Sequence, residues 1–327
     1  MLINGLIIGI GGFWLGALFL LGLRSFSLRS KVLQRDGIPL VGGIGIALSF
    51  TCLSLVSLFF FTGIPSSILG ILAASLLMLV FGIADDILEL SVAAKFIVQV
   101  IAVSLLVAFG VKTRIVYIAD ALNLAVTFLW VIGITNAFNL LDILDGLAAF
   151  TALLISIGFF IIAWLGMDAY TMILSLSLAA SLGGFLAYNL PPAQIYMGNA
   201  GSHFLGFVLA AMAVFISYAP LQRPVALSAP VIILGLPIVD TAFLIVVRLL
   251  KKNLPFKKSN DHPALKLLAL GFSKGKALFA LSLLCLFFVA CGVLVSKAPN
   301  AFGIAIAALA ALVGVLFGIS IARVKTV

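Results

Sequence analysis

The sequence predicts an all-α, polytopic membrane protein with about eleven transmembrane helices, its N-terminus outside and its C-terminus cytoplasmic. Three observations carry that prediction. The chain is 64% hydrophobic and only 9% charged, where a soluble domain carries about 25% charged residues. Its mean hydropathy is +1.36, which makes the bilayer the natural solvent for most of it. Its apolar runs recur at close to the 20 or so residues that a spanning helix needs, with lysine and arginine sorted between alternate connections.

The apolar runs fall at 5–23, 40–62, 67–84, 96–111, 119–139, 147–166, 171–190, 203–219, 226–250, 276–296 and 300–322. The run at 119–139 is the weakest, because Asp120 and Asn123 stand near its start. The first run has no basic segment before it and no small-residue cleavage site, so it reads as a retained helix. The chain reads as one integral membrane domain over 1–327, without a low-complexity tail. Cys52, Cys285 and Cys291 lie inside apolar runs and read as small packing residues with no disulfide framework.

Orientation follows from the cations. Fifteen of the nineteen lysines and arginines fall on one face, against Lys112, Arg114, Arg223 and Lys297 on the other. The basic face is therefore cytoplasmic, and the net charge of +9 needs no nucleic acid to explain it. The acids follow no such rule, so their placement says more. Asp36, Asp85, Asp86, Glu89, Asp142, Asp145, Asp240 and Asp261 share the cytoplasmic side, with both histidines, and only Asp120 and Asp168 fall outside. A carrier places its polar groups near the midplane. This pattern points instead to a site where bilayer meets cytoplasm, open to a soluble reactant.

Four segments hold the polar side chains. DDILELSVAAK, Asp85 to Lys95, begins with two adjacent carboxylates, which a cation or proton must offset. They are candidates for a Mg²⁺ or general-base site, and Lys95 for a phosphate; a solvated acid pair with a topology-setting lysine is the plainer reading. NAFNLLDILDG, Asn136 to Gly146, spaces Asn136 from Asn139 and Asp142 from Asp145 by three residues, so that on a helix each pair shares a face. Four such groups at the end of an apolar helix are too costly to be idle, unless they only cap it. NLPPAQIYMGNAGSHFLGF, Asn189 to Phe207, ends a helix at Pro191 and Pro192 and allows a tight turn at Gly198 and Gly201. There Ser202 is a candidate cap for the next helix, whose N-terminus favours an anion; an ordinary interhelical turn is the alternative. The segment from Gly235 to Ser273 carries Asp240 and Arg248, then Lys251, Lys252, Lys257, Lys258, Asp261 and His262. Beside an acidic site such a loop suits an anionic nucleotide or lipid phosphate, and on its own it is equally a positive-inside loop.

Taken together, these segments resemble the polyprenyl-phosphate N-acetylhexosamine-1-phosphate transferases, in order and spacing over nearly the whole chain. DGIPLVGG, Asp36 to Gly43, is similar to that family's Pro-x-x-Gly-Gly lead-in to the second span. DDILELSVAAK resembles its Asp-Asp-x-x-x-Leu-Ser-x-x-x-Lys motif, and NAFNLLDILDG its Asn-x-x-Asn-x-x-Asp-x-x-Asp-Gly motif. PIVDTAFLIVVR, followed by LPF at 254–256 and by His262, resembles the branch that uses UDP-N-acetylglucosamine. Two positions depart from the pattern. The family's Gly-Asp-x-Gly-Ser reads Gly198-Asn199-Ala200-Gly201-Ser202, and of its histidine cluster only His262 remains.

The resemblance implies an enzyme of the bacterial inner membrane that uses Mg²⁺, with Mn²⁺ as a substitute. It transfers a sugar 1-phosphate from a UDP-sugar to polyprenyl phosphate and releases UMP. Asp85, Asp86, Lys95, Asp142, Asp145 and His262 are the implied catalytic set. Asn136, Asn139, Gly198, Ser202 and Arg248 join Asp142, Asp145 and His262 in holding substrate, and Asn139, Asn199 and Asp85 approach the metal. Membrane lipid is an implied partner, nucleic acid is not, and a homodimer is a further expectation. The alternatives are a catalytically weakened paralogue that binds lipid phosphate or nucleotide-sugar as a regulator, and a transporter of lipid-linked sugars.

Overall fold

The computed structural model describes residues 2–216, 221–252 and 260–324, helical almost throughout. In chain order these are α1 (Leu2–Ser30), a short antiparallel hairpin of β1 (Gln34–Arg35) and β2 (Ile38–Pro39), α2 (Gly42–Phe61), α3 (Ser66–Leu88), α4 (Val92–Ala108), α5 (Asp120–Leu141), α6 (Leu147–Gly166) and α7 (Ala169–Asn189). They continue with α8 (Gly198–Phe215), a 3-10 turn (Pro224–Ser228), α9 (Ala229–Ile233), α10 (Gly235–Leu250), α11 (Pro263–Ala269), α12 (Lys274–Lys297) and α13 (Asn300–Ala322).

Among the described residues nine helices are long and apolar enough to cross a membrane. The protein is thus an all-α integral membrane protein. Two of the predicted runs take a different form. The run at 226–250 is broken, with α9 and α10 bent by 72°, and α4, over the run at 96–111, is 17 residues long. A glycine and a proline follow the break at once. Gly235 lies against α12 so closely that a Cβ there would stand 2.6 Å from the Phe288 ring. Pro237 then sits in the first turn of α10, where its missing N–H costs nothing.

Polar side chains start several helices. Ser91 accepts from Ala94 N–H (3.3 Å), Asp168 from Thr171 N–H (3.2 Å) and Ser273 from Lys276 N–H (3.3 Å), satisfying first-turn donors that lipid cannot. The 119–139 run is a helix despite Asp120 and Asn123. Asn123 is turned inward and grips the preceding loop through the Ile115 N–H (2.8 Å) and the Ile115 carbonyl (3.0 Å).

The axis of the bundle is α8, buried without interruption from Ala200 to Ala213. Glycine, alanine and serine on this helix let its neighbours close in, as membrane helices require when apolar burial alone gives no net attraction. Helices α3 and α5 pack along it, while α13 lies at the periphery. The N-terminus of α8 is where the candidate site forms.

Candidate active site

Three glycines bring the start of α8 into contact with two other helices. A Cβ on Gly43 of α2 would collide with the Gly201 nitrogen, and one on Gly82 of α3 would collide with the Ala200 Cα. Only hydrogen fits at either place. The lead-in to α2 adds backbone bonds, Gly42 N–H to the Tyr196 carbonyl and Gly43 N–H to the Met197 carbonyl, both at 3.0 Å. The third glycine, Gly198, has φ +73° and lies under the Asp86 carboxylate.

Asp86 therefore receives the first N–H groups of α8. Its Oδ1 accepts from Asn199 N–H (2.8 Å) and its Oδ2 from Ala200 N–H (3.0 Å). Two orphan donors of a buried helix end are satisfied by a charge from another helix. The sequence reading of Ser202 as the cap is corrected here: α8 starts at Gly198, so Ser202 lies in its second turn. Ser202 instead accepts, through Oγ, from Asn139 Nδ2 (3.0 Å), which also donates to Asn199 Oδ1 (3.0 Å). Behind it, His203 donates from Nδ1 to the Asn199 carbonyl (2.9 Å) with its ring edge-on to Phe81.

Asp85, one residue away, points elsewhere because successive helical residues are turned by about 100°. It is 1% exposed. It accepts from Lys95 Nζ (2.5 Å) and from Leu90 N–H (2.9 Å), joining the end of α3 to the start of α4.

Asn136 and Asn139 likewise diverge. Asn136 exchanges amide bonds with Gln99 of α4, Nδ2 to Oε1 at 2.9 Å and Nε2 to Oδ1 at 3.3 Å. It closes α4 onto α5 and does not reach the α8 network. The helix ends at Leu141, so Asp142 and Asp145 do not share a helical face as the spacing predicts. They sit in the turn to α6, which Gly146 completes at φ +80°. Asn189 holds that turn, accepting from Gly146 N–H (3.0 Å) and donating to the Ile195 carbonyl (2.9 Å).

These segments enclose a cavity of about 240 Å³ lined by Arg35, Asn139, Asp142, Asp145, Gly198 and Asn199, among others. Asp145 accepts from Lys274 Nζ (3.1 Å). Asp142 faces the cavity half-buried. Burial lifts its carboxyl to about 7, the Asp86 and Asp145 carboxylates add to the rise, and Arg35 opposes it. The sequence reading used Arg35 only for orientation. Its place in the cavity comes from the β1–β2 hairpin, which lays residue 35 opposite the turn after α5.

His262 and Arg248 do not line this cavity. They are 4% and 3% exposed, in a second polar cluster with Asp240, where His262 Nδ1 lies 3.8 Å from Asp240 Oδ2. Lys251 pairs with Asp261 at 2.7 Å beside them. The LPF segment and Lys257 and Lys258 lie outside the described residues.

The fit of a metal can be judged from the donors. Among the described residues no three histidine, cysteine or acidic side chains converge as a metal set. Asp85 is engaged by Lys95 and stands outside the cavity lining. Oxygen donors line the cavity, among them the Asp142 and Asp145 carboxylates and the Asn199 amide. Such a set fits a hard cation like Mg²⁺, which binds through one or two carboxylates and completes its shell with water and substrate phosphates.

The Glycosyl transferase family 4 profile matches residues 68–217, from α3 through α8. A Bacillus subtilis protein described as a "probable undecaprenyl-phosphate N-acetylglucosaminyl 1-phosphate transferase" is 36% identical over 215 residues, 62% of this chain and 59% of that protein. A phospho-N-acetylmuramoyl-pentapeptide-transferase of Shouchella clausii is 31% identical over 200 residues, 55% of this chain and 62% of its own. The chain thus spans about three fifths of the length of these two relatives. An undecaprenyl-phosphate α-N-acetylglucosaminyl 1-phosphate transferase of Thermotoga maritima is 32% identical over 252 residues, covering 73% of this chain and 74% of that protein. With that coverage, the chain belongs to glycosyl transferase family 4, in the branch of the polyprenyl-phosphate N-acetylglucosamine-1-phosphate transferases.

Proposed function

We propose that the protein transfers a sugar 1-phosphate, of the N-acetylhexosamine class, from a UDP-sugar to polyprenyl phosphate. The observation that carries this reading is the cavity itself. It is small, polar and charged, built from the hairpin before α2 and from the Asn136–Gly146 and Asn189–Phe207 segments, and set at one end of an otherwise apolar bundle. One substrate can reach such a site from lipid and the other from water.

In this reading the chain has eleven spans with the N-terminus outside, and the cavity opens to the cytoplasm of a bacterial inner membrane. The cation bias of the connections supports that orientation. An oxygen of the lipid phosphate forms a bond to the β-phosphorus of the donor. The bond from that phosphorus to the bridging oxygen breaks, and UMP leaves with the electron pair. The lipid phosphate is already anionic near neutral pH, so little base work is needed.

Catalysis then rests on positioning and charge. Lys95 holds the lipid phosphate while Asp85 holds Lys95. Arg35 faces the donor diphosphate. Asn139 and Asn199 form the wall against which the donor is oriented, Ser202 holds Asn139 from behind, and Asp86 fixes that wall. Asp142 and the Asn199 amide would hold Mg²⁺, which supplies charge neutralisation on the diphosphate when bound. His262 and Arg248 act on packing of the cytoplasmic segment, since they face Asp240 and not the cavity.

The test is UMP release from purified protein given polyprenyl phosphate, Mg²⁺ and a panel of UDP-sugars. Release that needs both lipid and metal is the expected result. No release with any sugar, from protein shown to be folded, would move the reading to a binding paralogue.

Asn199 offers a sharper check. Its amide brings no charge to the cavity, so Asn199→Asp is expected to lower the Mg²⁺ concentration for half-maximal activity. The same change sets a carboxylate beside Asp86 and Asp142 and is expected to lower the melting temperature when divalent ions are chelated. An unchanged Mg²⁺ requirement would show that residue 199 does not face the metal.

A further inference from the structure

A second cavity lies at the opposite end of the bundle and is larger, about 560 Å³. Its position follows from α8. Gly198 and Asn199 at the start of that helix line the first cavity, while Val214 and Phe215 at its end line the second. Eighteen helical residues separate the two by about 27 Å at 1.5 Å per residue. Val126, Trp130, Phe215 and Val231 form apolar walls, and Lys112 and Arg114 bring two cations to them.

The loop that carries these cations is held with unusual care. Thr113 N–H donates to Thr127 Oγ1 (2.9 Å) and Thr113 Oγ1 to the Asn123 carbonyl (2.6 Å). Asn123, 3% exposed, binds both backbone groups of Ile115. Buried asparagine and threonine are costly in a spanning helix unless they do such work. Here they fix a loop bearing two cations of the few on this face. Arg114 is steadied by the Gly110 carbonyl (3.3 Å). Lys112 has Asp120 at 3.6 Å, but that carboxylate is 89% exposed and so a weak partner. Both cations remain available to an anion at the mouth of an apolar pocket.

We propose that this cavity binds an anionic bilayer phospholipid, with its phosphate between Lys112 and Arg114 and an acyl chain along Val126, Trp130 and Phe215. The site is distinct from the transferase cavity and independent of what that cavity binds.

The experiment is a lipid titration of the purified full chain in detergent, read by native mass spectrometry. Phosphatidylglycerol, phosphatidylcholine and polyprenyl phosphate are compared on the wild type, the Lys112→Gln/Arg114→Gln variant and the charge-preserving Lys112→Arg/Arg114→Lys variant. Phosphatidylglycerol is expected to bind the wild type and the charge-preserving variant alike. It should bind the neutral variant about thirtyfold more weakly, the effect of removing two cations that each act on an anionic lipid surface. Equal binding of phosphatidylcholine, or equal binding by the neutral variant, would overturn the proposal. So would binding of polyprenyl phosphate alone that the neutral variant loses, which would make the cavity a site for the substrate lipid. If the neutral variant does not fold, weakened phosphatidylglycerol binding by the charge-preserving variant would equally overturn it.

Discussion

Asp142→Asn is expected to abolish UMP release, by a factor of at least about 10²–10³, and yet to stabilise the protein at pH 8 when divalent ions are chelated. Both effects come from one placement. The carboxylate is pressed among protein atoms at the cavity, with the Asp86 and Asp145 carboxylates near it, and its pKa is raised from 3.8 to about 7. A group of this kind serves a cation or a diphosphate–cation complex and is a burden without one.

The pH dependence has a definite sign. In the folded state Asp142 keeps its proton up to about pH 7, whereas unfolded it loses it near 3.8. Between those values the folded state binds more protons, so this residue makes stability fall as pH rises. The penalty is complete above pH 7 and absent below about pH 4. The Asp142→Asn variant escapes it, because an amide does not titrate. The melting temperature of Asp142→Asn should therefore exceed that of the wild type at pH 8, with the gap closing toward pH 4. A variant that is less stable at pH 8 would mean that the carboxylate is compensated in the folded protein. A variant with wild-type UMP release would remove Asp142 from the site.

The parts of this protein that the sequence made legible are those with a local cause. Apolar runs of spanning length became helices because lipid admits little else. Gly146 marked the turn between α5 and α6, and Pro-x-x-Gly-Gly marked the close start of α2. The candidate site was legible only in part, since Asn139, Asp142, Asp145, Gly198 and Asn199 line one cavity while Asp85, Asp86, Lys95, Asn136, Ser202, Arg248 and His262 do not. Their division of labour was not, because it depends on helix rotation and on partners far along the chain. Asp85 and Asp86 are neighbours in sequence, yet one meets Lys95 and the other meets backbone 113 and 114 positions away. Asn136 and Asn139 share a motif, yet Gln99 takes the first and α8 the second. Gln99 itself looks like an isolated amide in an apolar run, and nothing near it in sequence names its partner. Arg35 was legible as a cytoplasmic cation but not as a wall of the cavity, which needs the hairpin.

Gly198→Ala is expected to lower turnover about a hundredfold, with a smaller loss of stability. Alanine at φ +73° costs about 1–2 kcal/mol of backbone strain, which the rest of the bundle can absorb. The contact is worse than the strain, because the new Cβ would stand 2.6 Å from Asp86 Oδ2. The carboxylate must swing away and release the Asn199 and Ala200 N–H groups. Both donors lose a charged partner, and Asn199 moves with its backbone. A shift of about 1 Å in a positioning group is enough for a hundredfold loss. Since Asn199 and Ser202 share the amide of Asn139, the whole wall is displaced together. Gly82→Ala tests the same joint from the other side, because its Cβ would collide with the Ala200 Cα without touching a carboxylate. Loss of turnover in both variants, from protein that still unfolds cooperatively, would locate the requirement in the position of the α8 N-terminus. Loss in Gly198→Ala alone would locate it in the orientation of Asp86. Wild-type turnover in both would mean that the geometry at the start of α8 does not govern the reaction.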